Sequence, residues 1–172
     1  MREGKAHIIK ERCIDCGECI RVCPYHAKSA EYDSLEQIHN FKYKVAVPAP
    51  ALYGQFNNLD DVDYVLTALK KLGFDDVVEV AKAAELVSDA TRKLFEQGML
   101  KKPVISSACP AVVRLIRVNY PNLIEHVVPL TSPMEVAGGI AREKARKNTG
   151  LDDKDIGVFF ITPCPAKVTA LK

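Results

Sequence analysis

Apolar residues in the later part of the chain follow two alternating patterns, and the switches between them outline a fold. Lys44–Pro48 (KVAVP) is a short β-branched run that predicts a strand. Asp60–Leu72 carries Val62, Val65, Leu66 and Leu69 at helical spacing, and Gly73 stands where that helix should stop, because glycine accepts the left-handed conformation of a helix end. The alternation then repeats. Val77–Val80 reads as a strand, Ala84–Gln97 as a helix ending before Gly98, Pro103–Ser106 (PVIS) as a strand, and Pro110–Asn119 as a helix. Ser132–Lys147 predicts a further helix, with Ser132 as N-cap and Pro133 at the first helical position, where a missing N–H costs nothing. Gly157–Ile161 (GVFFI) is the last strand. Strands separated by long helices predict a parallel four-stranded sheet with crossover helices over residues 43–172. The strands are continuously apolar, as expected where helices cover both faces.

Residues 1–42 follow neither pattern. They hold few large apolar residues and cannot build a core unaided, yet four of the six cysteines fall between positions 13 and 23. Cys13-Ile-Asp-Cys16-Gly-Glu-Cys19-Ile-Arg-Val-Cys23-Pro24 is C-x2-C-x2-C-x3-C-P, the bacterial ferredoxin spacing for a four-iron, four-sulfur cubane. Thiolates this close let one tight loop wrap the irons while its N–H groups offset the negative charge of the sulfides. Gly17 permits the close turn. A zinc knuckle prefers two separated C-x2-C pairs, and disulfides are rare in a cytosolic chain, so both alternatives are disfavoured. Cys13, Cys16 and Cys19 are assigned as ligands. Cys23 either completes the same cluster or yields its place to a ligand from elsewhere, since the fourth cysteine of two-cluster ferredoxins serves the other cluster and no second motif follows here. The expected fold class is therefore α/β, with a small ferredoxin-like iron–sulfur module over 1–42 ahead of the sheet.

Composition narrows the function classes. With 48% hydrophobic and 27% charged residues in 172, a packed core is expected rather than disorder. The formal charge of +2 is too weak, and the basic residues too dispersed, for nucleic acid to be a main partner. No apolar run approaches a membrane span, and the start (MREGKAHIIKERC) lacks the apolar core of a secretory signal. Six ionised thiols would turn the formal charge negative, which bound iron would compensate. His7, His26, His39 and His126 are scattered and receive no role.

Two cysteines lie outside the head. Cys109 follows the PVIS run and Cys164 the GVFFI run, each by three residues, which places both at the carboxyl edge of a parallel sheet, where α/β proteins bind ligands. Spacing alone leaves open whether they form a site or are small buried hydrophobes. Two thiolates also leave a cubane short of two ligands.

Ser107-Ala108-Cys109-Pro110 and Thr162-Pro163-Cys164-Pro165-Ala166-Lys167 resemble the first and second cluster-binding motifs of the FeFe-hydrogenase large subunit, T-S-C-C-P-x-W and M-P-C-x-x-K-x-x-E. Val45-Ala46-Val47-Pro48-Ala49-Pro50-Ala51, Tyr120-Pro121 and Ser132-Pro133 stand in the family's order, so the resemblance spans essentially the whole chain. It implies that Cys109 and Cys164 ligate the cubane of the six-iron H-cluster. It also implies that Lys167 donates to a cyanide ligand of the di-iron subsite. The family's third motif is not in this sequence, and the expectation is a fragment, inactive alone, of a longer protein with a further domain downstream. The implied setting is an anaerobe's cytoplasm, with an electron donor or acceptor such as ferredoxin as partner.

The departures bear on function. The proton-relay cysteine of the family is Ala108, and a methyl group relays no proton. The motif tryptophan is Val112, the methionine Thr162 and the closing glutamate Ala170, while Asp89-Ala90-Thr91 matches poorly where carboxylates are expected. No residue is therefore assigned as catalytic. Keeping iron ligands while losing the relay resembles the family's sensory branch, with slow or no hydrogen turnover. Two other readings stand beside it: a catalytic hydrogenase with a different proton route, through water or Ser107, and a non-catalytic iron–sulfur scaffold similar to hydrogenase-like assembly factors.

Overall fold

The KVAVP run forms the middle strand of a parallel sheet in the computed structural model, which describes residues 7–171. The first six residues of the expected head, and Lys172, lie outside the described residues. The head contributes one helical turn, α1 (Glu18–Arg21). After a 3-10 segment at Leu35–Asn40 come β1 (Tyr43–Pro48), a 3-10 segment at Pro50–Gln55, α2 (Asp63–Lys71) and β2 (Asp76–Val77). Helix α3 (Val80–Glu96) and helix α4 (Pro110–Asn119) follow. Then come a 3-10 segment at Pro121–His126, α5 (Pro133–Thr149), β3 (Ile156–Ile161) and α6 (Pro165–Leu171). Among the described residues no helix is long and apolar enough to cross a membrane.

By compactness the chain divides into two units. One comprises Tyr32–Met99 and Leu130–Pro163; the other, the described residues of Met1–Glu31, Leu100–Pro129 and Cys164–Lys172. The division into 1–42 and 43–172 expected from the sequence follows motif content, whereas the compact units interleave along the chain.

The first unit holds the sheet, in the order β2-β1-β3 with both pairings parallel. Alternate residues of β1 serve opposite faces. Val45 and Val47 join Ile156 of β3, Val80 and Ala83 of α3, and Ala137, Ala141 and Ala145 of α5 in one buried cluster. Ala46 points the other way, into a cluster with Ile38, Leu69 and Phe74. Both faces are thus covered, which is why the strand reads as continuously apolar. The alanines of α5 recur every four residues and present a flat stripe, so the helix lies close to the sheet. At the helix start Ser132 and Glu135 form a reciprocal capping box, satisfying N–H groups that would otherwise be orphaned. On the opposite face the Phe159 ring meets Phe41 and Phe74 edge-on, at 5.6 and 5.8 Å between centroids. Gly157 is required there: a Cβ would stand 2.7 Å from the Phe41 ring.

Two expectations need correction. The sheet has three strands, not four, because Pro103–Ser106 is not one of them. Ile105 alone makes a parallel bridge, to Val127. Pro103 has no N–H to give a ladder, and the Ser106 hydroxyl accepts from the Ala108 N–H (3.3 Å), turning the chain locally instead of extending it. Cys109 consequently does not follow a strand of the sheet. The second strand is also shorter than Val77–Val80, since Val80 turns inward as the first residue of α3 and is buried there.

Candidate metal centre

The second compact unit contains all six cysteines. None is in a disulfide. In the head, the chain turns tightly ahead of the motif, with the Cys13 N–H donating to the Ile9 carbonyl at 3.0 Å. It then takes left-handed conformations at Asp15 (φ 54°) and Gly17 (φ 78°), which bend the loop around its cysteines. The second bend needs glycine for a further reason: a Cβ on Gly17 would lie 2.7 Å from Cγ of Pro165, the residue after Cys164. The head loop is therefore packed directly against the start of α6.

Backbone N–H groups point at sulfur in this loop. The Asp15 N–H donates to Cys13 Sγ and the Ala27 N–H to Cys23 Sγ, each at 3.4 Å. For Cys23 the N–H groups of Ala27 and Tyr25 lead a set that draws the thiol's pKa down, toward the thiolate that ligates metal. For Cys13 the Asp15 N–H pulls downward, but burial and the Asp15 carboxylate together outweigh it and leave the pKa raised. Cys13, Cys16 and Cys19 line a hollow of about 680 Å³ whose other walls include Ile8, Ile14 and Ile20. Cys23 does not line it. Among the described residues no three His, Cys, Asp or Glu side chains gather closely enough to hold a single metal ion. Cys13, Cys16 and Cys19 all contribute to the lining of that one hollow.

Cys109 and Cys164 share a local design. Each directly precedes a helix whose first residue is proline, α4 after Cys109 and α6 after Cys164. The carbonyls of both cysteines accept the first intrahelical bonds, from Val113 at 3.1 Å and Val168 at 3.3 Å. The two helices pack against each other. Cys109 is exposed and Cys164 half-buried, so neither is a core hydrophobe. Lys167 lies half-buried on α6, three residues past Cys164. Ala108 precedes Cys109 with its N–H held by Ser106, and Val112, at the motif's tryptophan position, is 39% exposed.

Arg114 was not legible as a site residue from spacing. From α4 its guanidinium reaches the head, with Nη1 2.7 Å from Asp15 Oδ2 and Nη2 donating to the Lys10 carbonyl at 3.0 Å. The one available signal was a lone charge inside the apolar run Val112-Val113-Arg114-Leu115-Ile116.

Comparison with known proteins agrees with this arrangement. Residues 42–170 match the model of the iron-only hydrogenase large subunit, C-terminal domain, and residues 6–29 match the 4Fe-4S binding domain. The chain belongs to the iron-only hydrogenase large-subunit family. It is 27% identical to the NADP-reducing hydrogenase subunit HndD of Solidesulfovibrio fructosivorans, over 90% of this chain and 30% of that one. It is 28% identical to the cytosolic Fe-S cluster assembly factor nar1 of Aspergillus terreus, over 52% of this chain and 15% of that one. A solved FeFe-hydrogenase structure, from work on oxygen inactivation of the H cluster, superposes with a TM-score of 0.62 at 22% identity, covering 83% of this chain and 38% of that one. This last likeness is one of fold. The chain spans less than a third of the length of either curated relative named here.

The head motif and its family match assign a 4Fe–4S cluster to the head, and membership of the iron-only hydrogenase family raises a second group, an H-cluster or its 4Fe–4S cubane, for the full-length protein. The donor set fits the first, with three thiols lining an apolar-walled hollow and Cys23 four residues on in the chain, outside the hollow, with the Ala27 N–H on its sulfur. It fits the second in part: Cys109 and Cys164 would supply two of a cubane's corners, and the sequence holds no further cysteine to supply the others.

Proposed function

We propose that this chain carries electrons between a head cubane and an H-cluster-type centre, and serves in hydrogen or redox sensing with slow or no turnover. Cys13, Cys16, Cys19 and Cys23 would hold the head cubane, which when bound stores one electron at a time. Cys109 and Cys164 would hold two corners of the second cubane, and Lys167 would donate a hydrogen bond to an anionic ligand beside it. Ala108 carries the reading. It occupies the position next to a cluster ligand where the family places its relay thiol, and it has no proton to give or take. Electrons and protons must arrive together for rapid turnover, so a site with ligands and no relay suits reporting better than production. A soluble redox carrier such as ferredoxin, in a cytoplasmic setting, is the partner this reading implies.

Likeness to the assembly factor favours one second reading, a scaffold that holds cubanes without a di-iron subsite. Infrared spectroscopy of the matured holoprotein separates the two, because bands from carbon monoxide and cyanide ligands are expected for the first and absent for the second. With those bands present, hydrogen evolution is expected to be slow, and Ala108→Cys should raise it on the order of a hundredfold, the usual worth of a positioned proton donor. Rapid evolution by the unaltered protein would sink the sensory reading. For the head, anaerobic reconstitution of the chain should yield a cubane that Cys16→Ser abolishes.

A further inference from the structure

Arg114 joins the two cysteine motifs. It lies on α4, five residues beyond Cys109, and grips the head loop at two points, Asp15 Oδ2 (2.7 Å) and the Lys10 carbonyl (3.0 Å). Two contacts from a planar guanidinium fix its charge more firmly than a single point contact would. Asp15 in turn lies against Cys13, its N–H donating to Cys13 Sγ at 3.4 Å and its carboxylate Oδ1 standing at the same distance from that sulfur. The carboxylate side chain is 26% exposed and the guanidinium side chain 41%, so solvent screens the pair only in part. The negative charge nearest this ligand sulfur is thus held against a positive one delivered by another part of the unit.

We propose that Arg114 is a positioning residue that sets the reduction potential of the head cubane by neutralising Asp15 beside Cys13. A cluster gains negative charge on reduction, so a neighbouring carboxylate opposes the electron and a neighbouring guanidinium favours it. Net charge and hydrogen bonding at the sulfurs are among the factors that fix such potentials. Without Arg114 the Asp15 carboxylate faces the cluster uncompensated and reduction becomes harder. Without the carboxylate, Arg114 is left in excess and reduction becomes easier. The proposal rests on the head holding a cubane, as in the reading above, and goes beyond it in naming what tunes that cubane.

The test is a redox titration of the anaerobically reconstituted full chain at one fixed pH, followed by electron paramagnetic resonance of the reduced cluster. Arg114→Gln should shift the midpoint to more negative potential, lowering the reduced-to-oxidised ratio at a given ambient potential a few-fold. Asp15→Asn should shift it the opposite way, and asparagine accepts the left-handed conformation at φ 54° as aspartate does. The double variant should return close to the unaltered protein, and Arg114→Lys, which keeps the charge, should stay near it. Single variants that move the potential in the same direction, or leave it unmoved while iron and sulfide content is normal, overturn the proposal. So does a double variant that fails to return, because a purely mechanical clamp predicts lost occupancy rather than opposed and cancelling shifts. Should Arg114→Gln lose the cluster, Asp15→Asn decides alone: a positive shift supports the charge role, and no shift ends it. Failure of the unaltered chain to take up a cubane removes the underlying reading together with the proposal, and iron content distinguishes that result from a cluster whose potential does not move.

Discussion

Tyr53 donates its hydroxyl to Glu79 Oε1 at 3.2 Å, joining the 3-10 segment after β1 to the residue that precedes α3. Burial first, and the Glu79 charge second, push the phenol up to about 12 from its ordinary value of 10.0. The sign follows from which form the folded state disfavours. Below pH 10 the phenol is neutral in both folded and unfolded chains, and its contribution to stability is fully present. Between 10 and about 12 only the unfolded chain ionises, so stability falls through that window. Tyr53→Phe should cost about 1 kcal/mol at pH 7 for the lost hydrogen bond. It should also flatten the decline above pH 10, as read by urea unfolding at pH 7 and pH 11. Single residues also mark what can be read directly from a sequence. The head cysteines were legible because their chemistry resides in local spacing. Arg114 was not, because its partners, Asp15 and Lys10, are about a hundred positions away along the chain.

Helix α5 was the most legible element, since its N-cap Ser132 and first-turn Pro133 are written locally, although it runs on past Lys147 to Thr149 and closes at Gly150. Its packing face was not read from the sequence and emerges in the structure as Ala137, Ala141 and Ala145, all buried against the sheet. An alanine in such a stripe sets the distance between layers. Ala141→Leu should therefore strain the interface by roughly 1–3 kcal/mol, lowering the denaturant midpoint with little change in slope. The third predicted strand failed for the complementary reason. Val104 and Ile105 look like strand residues, but Pro103 removes a donor and Ser106 supplies a competing hydroxyl, so the segment makes one bridge to Val127 and no ladder. Strand propensity described the side chains and missed the backbone hydrogen bonds. Cys109 was in turn assigned to the rim of a sheet, when it caps a helix in the unit that holds the head.

At the scale of the molecule, the two compact units have different sources of order. The unit of Tyr32–Met99 and Leu130–Pro163 has the sheet and both buried clusters, and it contains no cysteine. The other unit owns every thiol, and in its head Ile8, Ile9 and Val22 are about half exposed or more. With a cluster on its thiolates, such a unit would gain stability from the bound metal, because metal binding and local folding share one free energy. Removal of iron by a chelator under oxidising conditions should then divide the chain by unit rather than by position. Amide hydrogen exchange is expected to accelerate across the described residues of Met1–Glu31, while β1, β3 and α5 keep the protection of their buried ladder and stripe. The decisive segment is Leu100–Pro129, which lies beyond β1 in the chain yet belongs with the head. Its protection should fall together with that of residues 9–27 if the thiol-bearing unit is one cooperative body, and should match that of β1 if sequence proximity governs instead.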